Sequence, residues 1–265
     1  LNGYEVEDDC KNVIIAGSQI THIGEIGVSI STGARKITVR DCDLYDVGTY
    51  GIQCTAGNYK TAEKGECVIE NNSITGTGKS GSTTGAAIRL GYDCGNTVRY
   101  NHLYDLPYQG VLWGGFSTTI EYNLIERYNQ ATNDAGAIYC CSATCYGSVI
   151  RYNIIRDGQS DNGIGCRGIY FDDGTFAGTR VENNIFKNIG GTTMTGRDMY
   201  FTNNVFISDK YDGHDAMSML LGSHITSTGG KIAPEGYWTD YDFDAIRATG
   251  EYSDFMNIID NEWDN

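Results

Sequence analysis

A chain of 265 residues, 40% of them apolar, carries enough material for one large core or two small ones. A net charge of −15 and a pI of 4.5 exclude the basic stripe that nucleic-acid phosphates require. They also disfavour a strongly anionic glycan unless a local basic groove receives it. No apolar run approaches the roughly 18 residues of a membrane-spanning helix, and 35 Gly against 2 Pro suit many short strands joined by tight turns.

The chain begins LNGYEVEDDC, with neither an initiator Met nor a signal-peptide pattern, so a mature or trimmed piece of a longer protein is expected. From residue 15 a short phrase starts to recur: apolar, charged, polar, Asn, any residue, then aliphatic or Phe. IAGSQI (15–20) is a weak copy, followed by VRDCDL (39–44), IENNSI (69–74), VRYNHL (98–103), IEYNLI (120–125), IRYNII (150–155), VENNIF (181–186) and FTNNVF (201–206). Between the copies stands a second phrase, a small residue followed by alternating apolar positions. It reads GVSI (27–30), GIQC (51–54), AIRL (87–90), GVLW (110–113), GAIY (136–139) and GIYF (168–171). Neither phrase has the 3.6-residue period or the length of a helix.

Two or three strands of four to six residues per unit of a little over 20 describe an all-β fold, a right-handed parallel β-helix of about eight coils. The fourth position of the first phrase holds Ser18, Cys42, Asn72, Asn101, Asn123, Asn153, Asn184 and Asn204, which predicts an asparagine ladder inside a turn. Stacked amides satisfy buried polar groups that would otherwise cost about 1–3 kcal/mol each. The second position alternates in sign through Arg40, Glu70, Arg99, Glu121, Arg151 and Glu182, a structural column on the outer wall. The β-helix is predicted over 1–208. Residues 209–265 are expected to form a cap within the same domain, covering an open end, with helical turns around 241–248 and 252–260.

Nine cysteines all fall within the first 166 residues, and none forms Cys-x-x-Cys, which argues against a zinc ribbon or a dithiol redox motif. Cys140, Cys141 and Cys145 are spaced to hold a loop disulfide in a secreted protein; buried, inert cysteine is the equal alternative for the others.

Insertions into a regular rod are where function collects. Two segments on consecutive coils, NQATNDAGAIYCC (129–141) and GCRGIYFDDGTFAG (165–178), bring together Asp134, Asp172 and Asp173. Paired carboxylates on adjacent coils are the minimum equipment of glycoside hydrolysis, one protonating the leaving oxygen and the other acting as base or nucleophile. With Ile169 and Phe171 facing inward, Tyr170 and Asp172 face outward, which leaves Asp173 and Gly174 to the turn. Tyr92, Trp113, Tyr139 and Tyr170 are candidates to stack on sugar rings, Trp113 equally a core residue. His102 is a candidate substrate contact or a satisfied wall histidine. Arg167 is placed to orient a carboxylate. His214 and Asp215, in the tail, have no assigned role.

The runs YNHLYDLPYQGVLWGG, IEYNLIERYNQATNDAGAIY and GIYFDDGTFAGTRVENNIF resemble the right-handed parallel β-helix glycoside hydrolases that include xylanases and plant cell-wall α-L-fucosidases. The likeness covers roughly residues 12–208, and DAGAIY followed by YFDDGT is its most specific part. It implies catalytic aspartates at Asp134 and in the Asp172–Asp173 pair, with Asp172 the first choice. Members of that group are longer than this chain.

The expected function is therefore a secreted or periplasmic glycoside hydrolase acting on a plant-type polysaccharide or its oligosaccharides, monomeric, with no cofactor required. Two other readings stand beside it. One is a polysaccharide lyase on the same scaffold, with Arg167 as base and Ca²⁺ held by the aspartates. The other is a non-catalytic glycan-binding β-helix.

Overall fold

The computed structural model describes residues 1–80, 85–132, 134–140, 145–159, 166–172, 178–194, 198–209, 218–219 and 241–262. Within them three parallel sheets of nine, eight and eight strands run along one solenoid, with a short two-stranded hairpin at 57–64. Each coil gives one strand to each sheet and pairs with the coils on either side, so the expected parallel β-helix of about eight coils is the fold observed.

The nine-stranded sheet is built from the second phrase. Its central strands are Val28–Ile30, Ile52–Cys54, Ile88–Cys94, Val111–Phe116, Ala135–Cys140 and Cys166–Phe171. Alternation decides which way each residue faces. Ile52 and Cys54, Ile88 and Leu90, Ile138 and Cys140, and Ile169 and Phe171 are fully buried and form one continuous core with the other two sheets. The small residue that opens each phrase has a steric cause. A Cβ on Gly27 would stand 2.5 Å from the Gly51 carbonyl oxygen, and one on Gly51 2.7 Å from that of Ala87, so successive coils nest too closely there for a large side chain.

The first phrase supplies both eight-stranded sheets and the corner between them. The residue before each ladder position is left-handed: φ is 53° at Asn71, 57° at Tyr100, 56° at Tyr122, 56° at Tyr152 and 59° at Asn183. One such residue turns the chain from one sheet to the next, and the ladder Asn follows it inside. The Asn101 backbone N–H and Nδ2 both donate to Asn123 Oδ1 at 3.0 Å, and Asn123 does the same to Asn153 Oδ1. The series runs unbroken from Asn72 to Asn204, and Cys42 joins it through its backbone N–H alone. Tyr100, Tyr122 and Tyr152, each strained by positive φ, stack at centroid distances of 5.1 and 4.9 Å.

The charged column pairs in twos rather than continuously. Arg99 meets Glu70 and Arg151 meets Glu121, each at 2.7 Å, while Arg40 turns to its neighbour Asp41 and Glu182 to Arg180. These half-exposed pairs contribute about 0.2–1 kcal/mol each.

One buried carboxyl stands apart from this order. Asp93 is fully buried; its Oδ2 accepts from Asn96 Nδ2 and Thr118 Oγ1, both at 2.9 Å, and its Oδ1 has no hydrogen-bond partner. Burial pushes its pKa from 3.8 to about 8, against the hydrogen bonds from Asn96 and Thr118. Between those values the folded chain holds a proton that the unfolded chain has released, so stability falls as pH rises through that window and is flat above it. Asp93→Asn should therefore gain in melting temperature relative to the parent from about pH 4 to about pH 8. Calorimetric melting across that range checks it, and parallel curves for the two proteins would refute it.

The tail holds the two expected helices, Phe243–Thr249 and Ser253–Glu262. Asp242 caps the first, accepting from the Ala245 N–H, and Gly250 closes it in the left-handed conformation. Their destination differs from the expected cover over an open end. Ile246, Tyr252, Phe255, Met256 and Ile259 form a second core with Ala62, Cys94 and Phe116, on the flank of the middle coils. Strands Ile88–Cys94 and Val111–Phe116 continue past the register at which Ile52–Cys54 ends and carry Cys94 and Phe116 beyond the main core, which gives the helices an apolar seat.

Candidate functional site

Strands Ala135–Cys140 and Cys166–Phe171 pair in parallel with Tyr139 opposite Tyr170. Because Ile138, Cys140, Ile169 and Phe171 fill the core, Tyr139 and Tyr170 are on the outer face. Asp134 immediately precedes the first strand and Asp172 immediately follows the second, so the two carboxylates bracket the pair. The Asp172 backbone N–H donates to the Cys140 carbonyl at 2.8 Å, extending the pairing to the catalytic candidate itself. A Cβ on Gly136 would lie 3.0 Å from Tyr170 Cβ, so a glycine there admits the Tyr170 side chain against the neighbouring coil.

A chain of contacts joins the carboxylates. Arg167 Nη1 lies 3.5 Å from Asp134 Oδ1, its Nε donates to Thr193 Oγ1 at 2.6 Å, and its Cζ sits 3.9 Å from the centre of the Tyr170 ring. The Tyr170 ring meets Tyr139 edge-on at 5.3 Å, and Tyr139 Oη donates to Asp172 Oδ2 at 2.6 Å. A guanidinium and two phenols thus link the carboxylates, with Arg167 beside Asp134 and the Tyr139 hydroxyl on Asp172. The Tyr170 pKa is pushed well up, first by burial and then by its hydrogen bond to Asp172, so it keeps its proton as a donor. Asp134 projects into solvent, its side chain 77% exposed.

The structure therefore gathers five of the sequence-derived candidates: Asp134, Arg167, Tyr139, Tyr170 and Asp172. Asp173 lies outside the described residues, as do His214, Asp215 and Cys141. Three candidates belong elsewhere. Trp113 is 2% exposed and packs edge-on against Phe171 inside the rod, so its ring has no open face for a sugar. In GVLW it is Leu112 that shares the outward parity of Tyr139 and Tyr170. His102 lies on an eight-stranded sheet, its Nε2 3.0 Å from Glu126 Oε1 and its ring stacked on Tyr104 at 4.4 Å. Glu126 opposes its own burial with hydrogen bonds from His102, Arg127 and Arg156, which bring its pKa down to about 2; the group is a wall network. Tyr92 is 47% exposed and stacks on Tyr59 at 5.1 Å.

Sequence reasoning did not single out Tyr108 or Thr193. Tyr108 Oη donates to the Asp134 carbonyl at 3.2 Å from the preceding coil, and Thr193 receives Arg167 from the following one. Among the described residues no three His, Cys, Asp or Glu side chains converge as a metal site. Cys140 and Cys145, two of the three loop-disulfide candidates, bring their sulfurs within 2.7 Å of each other. No helix of the described residues is long and apolar enough to cross a membrane.

Comparison with known proteins agrees with the architecture. A structure described as a glycoside hydrolase superposes with a TM-score of 0.58 at 15% identity, covering 87% of this chain and 40% of that one. An alginate lyase from Paenibacillus sp. str. FPU-7 gives 0.42 at 15% identity, over 77% of this chain and 73% of that one. XylC in complex with xylose gives 0.38 at 14% identity, over 68% and 38% respectively. The chain thus spans well under two thirds of the length of the hydrolase it resembles. No curated protein matches it. The family model described as "Right handed beta helix region" matches residues 59–206, more than half of the sequence, and the chain belongs to that family.

Proposed function

We propose that this protein is a secreted glycoside hydrolase that acts on a plant-type polysaccharide or its oligosaccharides. One observation carries the reading: two carboxylates on adjacent coils bracket an outward pair of tyrosines and an arginine on one face of the rod. Asp172, fixed by the Tyr139 hydroxyl and by its own backbone bond to Cys140, takes the role of base or nucleophile at the anomeric carbon. Asp134, held by a 3.5 Å contact to Arg167 and otherwise open to solvent, is the carboxyl able to turn toward the leaving oxygen. Tyr139 supplies aromatic surface and a hydroxyl donor beside the sugar ring, and Tyr170, buried beneath Arg167, supports it from the next coil.

A lyase on the same scaffold is favoured less. Arg167, its candidate base, is already engaged with Asp134, Thr193 and the Tyr170 ring, and the Tyr170 phenol retains its proton. Incubation with a panel of cell-wall polysaccharides and aryl glycosides tests the choice. The expected result is reducing-sugar release without ultraviolet absorbance from an unsaturated product. Release of unsaturated sugars would replace the hydrolase by the lyase, and binding without turnover of any substrate would leave a glycan-binding module.

A further inference from the structure

The outward residues of the nine-stranded sheet form one register column. Gln53 pairs with Arg89, Arg89 with Leu112, Leu112 with Tyr139 and Tyr139 with Tyr170. Each step along this floor is one coil, so Arg89 lies two coils, or about 10 Å, from Tyr139. A glycan extended along the rod axis from the tyrosines would therefore cross Leu112 and reach Arg89.

Arg89 is unlike the other arginines. Every other described arginine has a carboxylate within ion-pair distance. Among the described residues none stands at that distance from Arg89, in a chain whose net charge is −15. Its Nη1 donates to Gln53 Oε1 at 2.9 Å, and its Cζ lies 5.3 Å from the centre of the Tyr50 ring. Both contacts orient the guanidinium without neutralising it. Its strand neighbours Ile88 and Leu90 are fully buried, so the backbone beneath it is fixed. A planar fork held in this way matches a carboxylate in two-point geometry.

We propose that Arg89 is the carboxylate-recognising subsite of this floor, so that the ligand is a largely neutral glycan carrying an acidic sugar two coils from Tyr139. The proposal rests on the carbohydrate reading of the site at Asp172. It also accommodates the strongly acidic composition: a floor arginine with no carboxylate at ion-pair distance among the described residues accepts one carboxylate, whereas a polyuronate would meet repulsion along the rest of the rod. Arg89 then sets which substituted position of a polymer is read, and the tyrosines mark where the reacting sugar sits.

Titration calorimetry on the Asp172→Asn protein, with turnover suppressed, tests this. The probes are glucuronic-acid-bearing oligosaccharides from xylan and from arabinogalactan, each beside its carboxyl-reduced counterpart, and trigalacturonate. At least one singly acidic probe should bind roughly tenfold or more tighter than its reduced form, the range expected of a hydrogen-bonded charge. Arg89→Ala should erase that preference without changing the affinity for the reduced form, Arg89→Lys should keep part of it, and added salt should weaken it. Trigalacturonate should bind more weakly than the best singly acidic probe. Equal binding of acidic and reduced forms, or an unchanged preference in Arg89→Ala, overturns the subsite. In either case sugar release from a neutral polysaccharide by the parent protein would leave the hydrolase reading standing. Absence of binding by every probe together with absence of turnover overturns both.

Discussion

Asp172→Asn should lower sugar release by about 10²- to 10⁴-fold, the contribution typical of a positioned acid or base. The expectation follows from how completely the strand pair fixes this side chain. Its backbone is bonded to Cys140, its Oδ2 receives the Tyr139 hydroxyl at 2.6 Å, and the preceding residues Ile169 and Phe171 are locked in the core. Asn has nearly the same shape and can still accept from Tyr139, so the melting temperature should move little while turnover collapses. Tyr139→Phe provides the comparison. It removes the donor and leaves the carboxylate, and should cost less than Asp172→Asn. Measuring initial rates and circular dichroism on both proteins separates a catalytic role from a structural one. Full activity in Asp172→Asn with unchanged stability would remove Asp172 from the mechanism.

The second large effect is on the fold. Asn123→Leu should cost on the order of 2–5 kcal/mol, because it takes the acceptor from a buried N–H, at about 1–3 kcal/mol, and removes three further hydrogen bonds that contribute less each. The Asn101 N–H loses its acceptor and the Val98 carbonyl loses the amide donor, while Asn101 Nδ2 keeps the Ile69 and Arg99 carbonyls and Asn153 Oδ1 keeps the backbone N–H of residue 123. All of this happens beside residues that are almost wholly buried, so water cannot substitute. A loss of that size is a large fraction of the stability of an ordinary domain. Asn204→Leu is the control. Asn204 is half-buried at the end of the ladder, where water can replace the lost bonds. Urea unfolding of both variants checks the contrast, and an equal cost at the two positions would show that burial of the ladder is not what makes it strong.

How much of this was legible in the sequence depends on whether a signal repeats. The ladder asparagines from Asn72 to Asn204, the alternating core positions and the small residue before each strand recur from coil to coil, so the register could be read without coordinates. The same alternation placed Tyr170 and Asp172 outward. Of the two readings open for Trp113 the core one is observed, since in its phrase Val111 and Trp113 face inward and Leu112 faces outward. His102 follows a ladder Asn, and that position belongs to a different sheet from the tyrosines. Arg89, Tyr108 and Thr193 were overlooked for another reason. Their importance comes from a neighbour one or more coils away, and insertions of varying length hide that alignment. The helices of the tail were legible from their own composition. Their seat on Cys94 and Phe116 was not, since it depends on two strands running past the point where others stop.

The unbroken amide series has a consequence for how the rod loosens. A stack held by nearest-neighbour contacts frays from its termini inward, and its middle opens last. Asn123 and Asn153 belong to the coils that carry Asp134 and Asp172, and each is bonded to a ladder neighbour on both sides. The proposed site thus lies in the segment where amide exchange is expected to be slowest. Breathing of the outer coils can proceed there without disturbing the carboxylates, so a substrate would meet a floor already set in its working geometry.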